Sequence, residues 1–256
     1  MLYLAVQHGY AAVAAVLLAY GAKCDRVIST DIAPVPLNHD LKLTELPTRG
    51  TALQIACLNG CREVVDVLLE GVASTKKYYN ATWLGSPFMA AIYSGDAHIV
   101  WKLIYHGADP NLKCDGYPPL HIAAFFGHQD IAKSLLARKA HPDDTAERWG
   151  SVLNAALKHP DLTHASATVA ILVDGEVDVN GGGCDPSLLQ TAAHHGHASA
   201  LVRLLSAGVS YSQQSSWGSI WDAANSNSDK ATRKEVKNVL RGCGLEEPRS
   251  GFFWSK

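Results

Sequence analysis

A recurring alanine constrains this chain more than any other feature of its sequence. Seven alanines follow one another at steps of 51, 35, 32, 33, 36 and 32 residues. They are Ala5, Ala56, Ala91, Ala123, Ala156, Ala192 and Ala224. Because five of the six steps fall within a few residues of each other, the chain is predicted to consist of stacked structural repeats.

Each of these alanines stands at the centre of the same short pattern. A large apolar residue lies three positions before it: Leu2, Leu53, Phe88, Leu120, Leu153, Leu189 or Trp221. Four positions after it stands Gly9, Gly60, Gly95, Gly127 or Gly196, with Pro160 and Ser228 as exceptions. A small alanine lets neighbouring helices pack closely, and glycine adopts the positive φ that ends a short helix. A second helix with a closing apolar pair, such as Leu204-Leu205, then completes each unit.

Two motifs make these units similar to the ankyrin family. Pro118–Ala123 reads PPLHIA and resembles the family's TPLHxA signature, and Gly107–Asn111 reads GADPN and resembles its GADxN turn. The segments that begin at Trp149 and Trp217 resemble the aromatic-glycine form of fungal ankyrin proteins. The resemblance covers about residues 2–245 and implies an all-α ankyrin-repeat solenoid of about seven helix-turn-helix units with finger loops. It also implies a binding scaffold, without naming the partner.

We expect a single ankyrin-repeat domain over residues 1–245 and a C-terminal tail over 246–256. The units are predicted near 1–26, 50–74, 85–113, 115–144, 148–181, 184–213 and 216–245, with a loop insertion at 27–49. The fifth and seventh units carry three extra residues, which we expect to lengthen the turn between their two helices. The resemblance gives a structural role, hydrogen bonding to neighbouring loops, to one position of each unit: Gln54, His121, Asn154, Gln190 and Asp222.

Composition excludes several other classes of protein. Lys and Arg total 22 against 24 Asp and Glu, so the basic excess of a nucleic-acid-binding protein is lacking. Six cysteines without a CxxC pair favour reduced thiols and a cytoplasmic protein. The first 22 residues carry no charge, but Gln7, His8 and Gly9 interrupt them, which predicts helices at 2–8 and 11–20 and no membrane span.

The uncharged N-terminal edge is unusual for the end of a repeat stack, which needs a polar cap to stay soluble. Its second helix, Ala11–Leu18, contains no polar residue, whereas Asp229–Arg241 at the other end is rich in Lys and Arg. We therefore expect Leu4 and Ala11–Leu18 to contact another chain or upstream residues. Self-association through this edge is one form of that hypothesis.

The ankyrin resemblance implies a concave groove formed by finger loops and the exposed sides of the first helices. Its middle positions are aromatic here, and aromatic side chains are common anchors of binding surfaces. The predicted ligand-binding residues are Trp83, Tyr93, Tyr117, Phe125, Phe126 and Trp149. The expected occupant is a protein or peptide, or an apolar small molecule. The other interpretation, that some of these rings pack against adjacent fingers, stays open.

Three histidines near the groove support a second hypothesis. His159, His194 and His195 could act as acid and base near neutral pH. The chain would then be a cyclase, isomerase or dehydratase of an apolar small molecule, built on an ankyrin scaffold. There is no HExxH motif and no glycine-rich phosphate loop, so neither a metal nor another cofactor is expected. The sequence leaves open whether the chain is a binding module or an enzyme.

Overall fold

A computed structural model describes residues 1–26, 28–29, 49–71, 85–146, 149–180, 187–210 and 216–247. These residues contain fourteen α-helices and two strands of two residues each. The chain divides into two compact units, Met1–His141 and Pro142–Lys256. The limits 1–245 and 246–256 for domain and tail stay predictions.

The first unit contains four helix pairs arranged in two layers. Its helices are α1 (Leu2–Gln7), α2 (Ala11–Ala19), α3 (Ala52–Leu58), α4 (Arg62–Glu70), α5 (Pro87–Ser94), α6 (Ala97–Tyr105), α7 (Pro119–Phe125) and α8 (Gln129–Ala137). The first helices pack in sequence, α1 on α3, α3 on α5 and α5 on α7, and form the inner layer. The second helices form the outer layer in the same order, α2 on α4, α4 on α6 and α6 on α8.

The second unit repeats this arrangement with three pairs. Its helices are α9 (Val152–Leu157), α10 (Leu162–Asp174), α11 (Leu188–His195), α12 (Ala198–Ser206), α13 (Ile220–Ser226) and α14 (Lys230–Gly242). Here α9, α11 and α13 pack in sequence, as do α10, α12 and α14. The seven predicted helix pairs are thus confirmed.

The recurring pattern explains why these pairs form. All seven alanines are buried on first helices, and so are the seven large apolar residues three positions before them. The five glycines that follow have positive φ, for example +78° at Gly95 and +85° at Gly196. At Gly196 a Cβ atom would lie 2.1 Å from the side chain of Thr232, so the turn needs glycine for space as well as for φ.

The three extra residues of the fifth and seventh units do not lengthen the turn between helices, and that prediction was wrong. They extend the second helix, because α10 and α14 have 13 residues whereas the other second helices have nine. Asp161 and Asp229 cap these two long helices by accepting backbone N–H groups. A good N-cap lets the inserted residues continue the helix instead of forming a loop.

Buried polar side chains connect successive repeats through hydrogen bonds. Gln54 completes a capping box with Thr51 and donates from Nε2 to the carbonyl of Gly85 at 2.7 Å. Gln190 does the same with Ser187 and donates to the carbonyl of Gly218 at 2.6 Å. The structural role predicted for this position is confirmed at these two residues.

The predicted insertion at 27–49 lies largely outside the described residues. At its two ends, β1 (Ile28–Ser29) and β2 (Arg49–Gly50) pair antiparallel, with Ile28 opposite Gly50. This short ladder is an addition to the all-α prediction, which rested on helical repeats alone.

Candidate binding surface

In the first unit, three of the predicted aromatic residues come together where the inner-layer helices end. The rings of Tyr93 and Phe126 meet edge to face at 5.2 Å, and Phe125 meets Phe126 at 5.1 Å. His128 stacks on Phe126 at 5.9 Å, and its Nε2 lies 3.3 Å from the carbonyl oxygen of Tyr93. Tyr93 and Phe126 are half-buried. We call Tyr93, Phe126 and His128 the aromatic face.

Phe125 differs from its neighbour because only 7% of its surface is exposed. It therefore belongs to the core and packs against Phe126 from the core side. This is what the alternative interpretation expects, in which some of the predicted rings have a structural role. Burial raises the pKa of the Tyr93 hydroxyl, so this group stays protonated at neutral pH and can donate a hydrogen bond.

Tyr117 lies on a finger loop of the same unit. Cys114 and Tyr117 exchange backbone hydrogen bonds of 3.1 and 3.0 Å across a tight turn. The two central residues of this turn, Asp115 and Gly116, both have positive φ, which is the geometry of a type I′ turn. The Tyr117 side chain is half-buried beside this turn.

The structure describes one of the other two predicted aromatic residues. Trp149 belongs to the second unit, where only 5% of its surface is exposed, so it is a core residue of its finger. Trp83 lies outside the described residues. The predicted set of six therefore contains three partly exposed rings, Tyr93, Tyr117 and Phe126, and two buried ones, Phe125 and Trp149.

In the second unit, one of the predicted histidines adjoins a tryptophan that was not in the predicted set. His194 lies 4.6 Å from the ring of Trp217 and 5.0 Å from the ring of His195. Its Nδ1 is 2.6 Å from Ser226 Oγ. Trp217 is 37% exposed and His195 is exposed as well. We call His194, His195 and Trp217 the His-Trp face.

His159, the third predicted histidine, contacts a different set of residues. Its Nδ1 accepts the backbone N–H of Asp161 at 3.1 Å, and its ring lies 5.6 Å from that of His164. The hydroxyl and N–H of Thr163 and the N–H of His164 hold the pKa of Asp161 well below its usual range. Asp161 is therefore an anionic helix cap and cannot act as a general acid at neutral pH.

These contacts give no support to acid-base catalysis. Ser226 donates its hydroxyl hydrogen to the carbonyl of Ala223 at 2.6 Å, so His194 must donate to Ser226 and does not activate it as a nucleophile. A cavity of about 710 Å³ in this unit is lined by Val202, Leu205, Val209, Cys243, Leu245 and their neighbours, and by none of the three histidines.

The structure offers no cluster of metal ligands among its described residues. His195 and His197 are two positions apart and their rings lie 6.1 Å apart. However, Nε2 of His197 already donates to the carbonyl of Leu157 at 2.7 Å inside the core. Within the described part of the chain, no helix is both long enough and apolar enough to cross a bilayer.

Sequence reasoning missed one exposed aromatic pair on the outer layer of the first unit. Trp101 and Tyr105 stack at 6.0 Å and are 47% and 74% exposed. The guanidinium of Arg138 lies 5.9 Å from the Trp101 ring. Their i, i+4 spacing on α6 could have shown this pair, because such residues share one face of a helix.

Comparison with known proteins decides the family. The model of ankyrin repeats (3 copies) matches residues 26–114 and 53–146. The Notch-regulated ankyrin repeat-containing protein B of Danio rerio is 33% identical over 95 residues, which cover 35% of this chain and 84% of that protein. The chain belongs to the ankyrin-repeat family. Ankyrin repeat domains generally mediate protein–protein interactions.

Larger relatives share only a segment with this ankyrin-repeat chain. Alpha-latrocrustotoxin-Lt1a of Latrodectus tredecimguttatus is 29% identical over 158 residues, covering 59% of this chain and 11% of the toxin. The chain thus spans about a tenth of that relative's length, and 7% of alpha-latroinsectotoxin-Lt1a.

Solved ankyrin domains match almost the whole chain in fold. The human ASB11 ankyrin repeat domain superposes with a TM-score of 0.74 at 21% identity, covering 97% of this chain and 99% of that domain. The ankyrin repeat domain of Bcl-3 gives a TM-score of 0.66 at 20% identity, covering 94% of this chain and 97% of that domain. At these identities the likeness concerns the fold alone.

Proposed function

We propose that this ankyrin-repeat chain is a binding module for a protein partner, which it holds through a peptide segment on the ends of its inner-layer helices. The observation that carries the proposal is the His-Trp face. There the ring of Trp217 remains 37% exposed although it contacts His194. An exposed tryptophan beside hydrogen-bonding imidazoles offers both area and polar contacts to a peptide.

The aromatic face of the first unit supports the same function by itself. Phe126 is fixed by Phe125 from the core side, by Tyr93 at its edge and by His128 on its face. A ring held by three neighbours loses little conformational entropy when a partner covers it. It therefore suits an apolar anchor side chain of the partner, with the Tyr93 hydroxyl as a donor.

The enzyme hypothesis has no comparable support. None of the three histidines lines the cavity of about 710 Å³ in the second unit, and His194 and His159 are engaged with Ser226 and Asp161. A binding surface needs no enclosed volume, and ankyrin repeats generally serve protein recognition.

The proposal can be tested with peptides selected from a random phage-displayed library against the folded chain. The selected peptides are titrated by calorimetry against the parent protein and against Trp217→Ala and Phe126→Ala. Burying one such ring is worth about 1.5–3 kcal/mol, so peptides that use a face should bind at least about tenfold more weakly when its ring is removed.

Trp101→Ala is the matched control, since Trp101 is another exposed aromatic residue, 47% exposed, but lies on the outer layer. Its removal should leave peptide affinity unchanged. The proposal would be contradicted by selected peptides that lose affinity for Trp101→Ala but keep it for Trp217→Ala and Phe126→Ala. Such peptides would place the binding surface elsewhere.

A further inference from the structure

The hydrogen bonds of the His-Trp face determine which ring nitrogen of His194 carries the proton. The carbonyl oxygen of Ala223 can only accept, so the Ser226 hydroxyl donates its one hydrogen to it, at 2.6 Å. His194 Nδ1 lies 2.6 Å from the same hydroxyl oxygen and is therefore the donor in that contact. In the neutral imidazole the other nitrogen, Nε2, is then a hydrogen-bond acceptor.

This second nitrogen, Nε2 of His194, is an acceptor for which the described residues supply no donor. The side chain is half-buried, and the backbone carbonyl of the same residue accepts from Asn227 Nδ2 at 2.8 Å. A partner that covered this position with an apolar side chain would bury the acceptor without a hydrogen bond, which is unfavourable. A donor group of the partner therefore suits this position.

Trp217 supplies the second feature that such a donor would meet. Its ring is 37% exposed and lies 4.6 Å from the ring of His194, with an angle of 51° between the two planes. The face of an indole ring carries partial negative charge and attracts cations, and the planar guanidinium of arginine stacks on it. Because the two rings are neighbours, a guanidinium over the indole lies beside the imidazole.

A carboxylate next to Trp217 favours a cation further. Gly218 follows Trp217 in the chain, and a Cβ atom built on it would lie 2.7 Å from Asp222 Oδ2. The same oxygen accepts the N–H and the hydroxyl of Ser219 at 2.8 and 2.7 Å, so its position is fixed. The Asp222 side chain is exposed, and its charge attracts a cationic side chain of a partner.

Arg233 also contacts this part of the second unit, but its own charge is matched. It donates to the carbonyl of Asn227 at 2.9 and 2.5 Å, and its charge helps to lower the pKa of the Asp229 carboxyl. The preceding repeat carries Lys158 at the position that corresponds to His194. A cation of the partner is therefore expected at the repeat of His194 and not at the one before it.

We propose that the His-Trp face recognises an arginine side chain of the partner, whose guanidinium stacks on Trp217 and donates to Nε2 of His194. This inference rests on the binding function proposed above and names the chemistry of the partner on this face. An acidic side chain would be repelled by Asp222 and by the ring face. Arginine is favoured over lysine because its planar fork can stack and donate at the same time.

The test uses the peptides selected from the phage-displayed library, keeping those that Trp217→Ala weakens. We expect them to share an arginine whose replacement by citrulline, its uncharged isostere, weakens binding about tenfold or more in calorimetry. On Trp217→Ala or His194→Phe the same replacement should cost about threefold or less, because the group that the arginine contacts is gone. Lysine in place of the arginine should give an intermediate loss. Changes in the peptide leave the fold of the protein untouched.

Asp222→Asn tests the contribution of charge, because an amide oxygen can still accept from Ser219. It should weaken the arginine peptides about two- to fivefold and leave the citrulline peptides unchanged. Asp109→Asn is the matched control in the first unit, where exposed Asp109 likewise accepts a backbone N–H, that of Asn111, at 2.9 Å. It should change neither affinity. Circular dichroism melts check that all variants are folded.

Two results would overturn the inference. One is a set of peptides that depend on Trp217 but bind equally well with citrulline as with arginine. The face would then hold an uncharged anchor, and the function proposed above would stand. The other is a selection in which no peptide depends on Trp217, which leaves that function to the Phe126→Ala result. Peptides that depend on neither ring would contradict the binding function itself.

Discussion

The outer helices α2 in the first unit and α14 in the second are built on the same pattern but differ in their outward surfaces. Counted from the closing apolar pair, Ala14 of α2 corresponds to Val236 of α14, and both are fully buried. The outward positions Val13 and Val16 of α2 correspond to Glu235 and Asn238 of α14, which are exposed and polar.

Charged contacts complete the surface of α14. Lys237 and Arg241 form ion pairs with Glu247 at 2.8 and 2.7 Å, and these pairs hold the pKa of the Glu247 carboxyl below its usual range. The guanidinium of Arg241 also lies 5.9 Å from the ring of Trp221. The difference teaches that the repeat pattern fixes the inward positions of an outer-layer helix and leaves its outward positions free to vary.

The largest effect is expected inside α14. Leu240→Ala removes a side chain that is fully buried, and such truncations cost about 2–5 kcal/mol of unfolding free energy. Val13→Ala on α2 removes a half-exposed side chain and should change the unfolding free energy of the monomer by about 0.5 kcal/mol or less. Urea denaturation at low protein concentration, followed by circular dichroism, measures both.

These two variants test whether α2 and α14 differ as described. If Leu240→Ala cost no more than Val13→Ala, α14 would not be anchored as its buried residues indicate. If Val13→Ala cost several times the expected value in the monomer, Val13 would be packed against its own chain and not half-exposed on α2.

Much of the fold could be predicted because the repeat is a local pattern. The buried alanines and the glycines with positive φ follow from spacing alone, so the helix pairs were found correctly. Contacts between repeats also follow from the spacing, since residues about one repeat apart become neighbours. Tyr93 and Phe126 are 33 residues apart and meet at 5.2 Å, and His194 and Ser226 are 32 apart and meet at 2.6 Å.

Burial of individual rings could not be predicted in the same way. Phe125 and Phe126 are adjacent in sequence, yet the former is buried and the latter only partly so. Which ring turns inward depends on packing against the next repeat, and that is not encoded in the spacing. Trp149 is a similar case, since its finger covers it to 5% exposure. The length of α10 was missed because extra residues can enter a turn or a helix, and the Asp161 cap decides between them.

The residue that immediately precedes a second helix offers a further comparison. In the second unit His197 precedes α12 and reaches back to the preceding repeat, donating from Nε2 to the carbonyl of Leu157 at 2.7 Å. His197→Ala should cost about 1–3 kcal/mol, because the carbonyl of a fully buried residue loses its donor. Urea denaturation at pH 8 measures this loss.

His197 also predicts a pH dependence of stability. Burial lowers its pKa, the hydrogen bond to Leu157 opposes this shift, and the nearby His159 adds to it. Below about pH 6.5 the unfolded chain therefore binds a proton that the folded chain resists, so its contribution is full above that pH and is lost as pH falls. The difference in unfolding free energy between parent and His197→Ala should shrink from pH 8 to pH 5. His98→Ala is the control at an exposed histidine, and it should keep the pH dependence of the parent's unfolding free energy. If the difference in unfolding free energy between parent and His197→Ala stayed the same from pH 8 to pH 5, His197 would not be the group responsible.

A smaller loss than that of His197→Ala is expected at an equivalent position in the first unit, where Asp96 caps its own helix. Its Oδ1 accepts the N–H groups of His98 and Ile99 at 3.0 and 3.2 Å, and Arg62 donates to Oδ2 at 2.7 Å. Burial alone would raise the pKa of Asp96, but these hydrogen bonds outweigh it and leave the pKa lowered. Asp96→Ala should cost about 0.5–2 kcal/mol, the usual range for a lost cap.

Asp96→Asn separates the cap from the ion pair, because the amide oxygen still accepts the two backbone N–H groups. Arg62 is 61% exposed, and exposed ion pairs contribute about 0–1 kcal/mol, so Asn should recover most of the loss at pH 7. A lowered carboxyl pKa stabilises above about pH 4 and stops doing so in acid, so the remaining deficit of Asp96→Asn should vanish as pH falls. If Asn were as costly as Ala, the bond to Arg62 in the preceding repeat would dominate. Asp96 would then, like His197, act chiefly between repeats, and the contrast between these two residues would disappear.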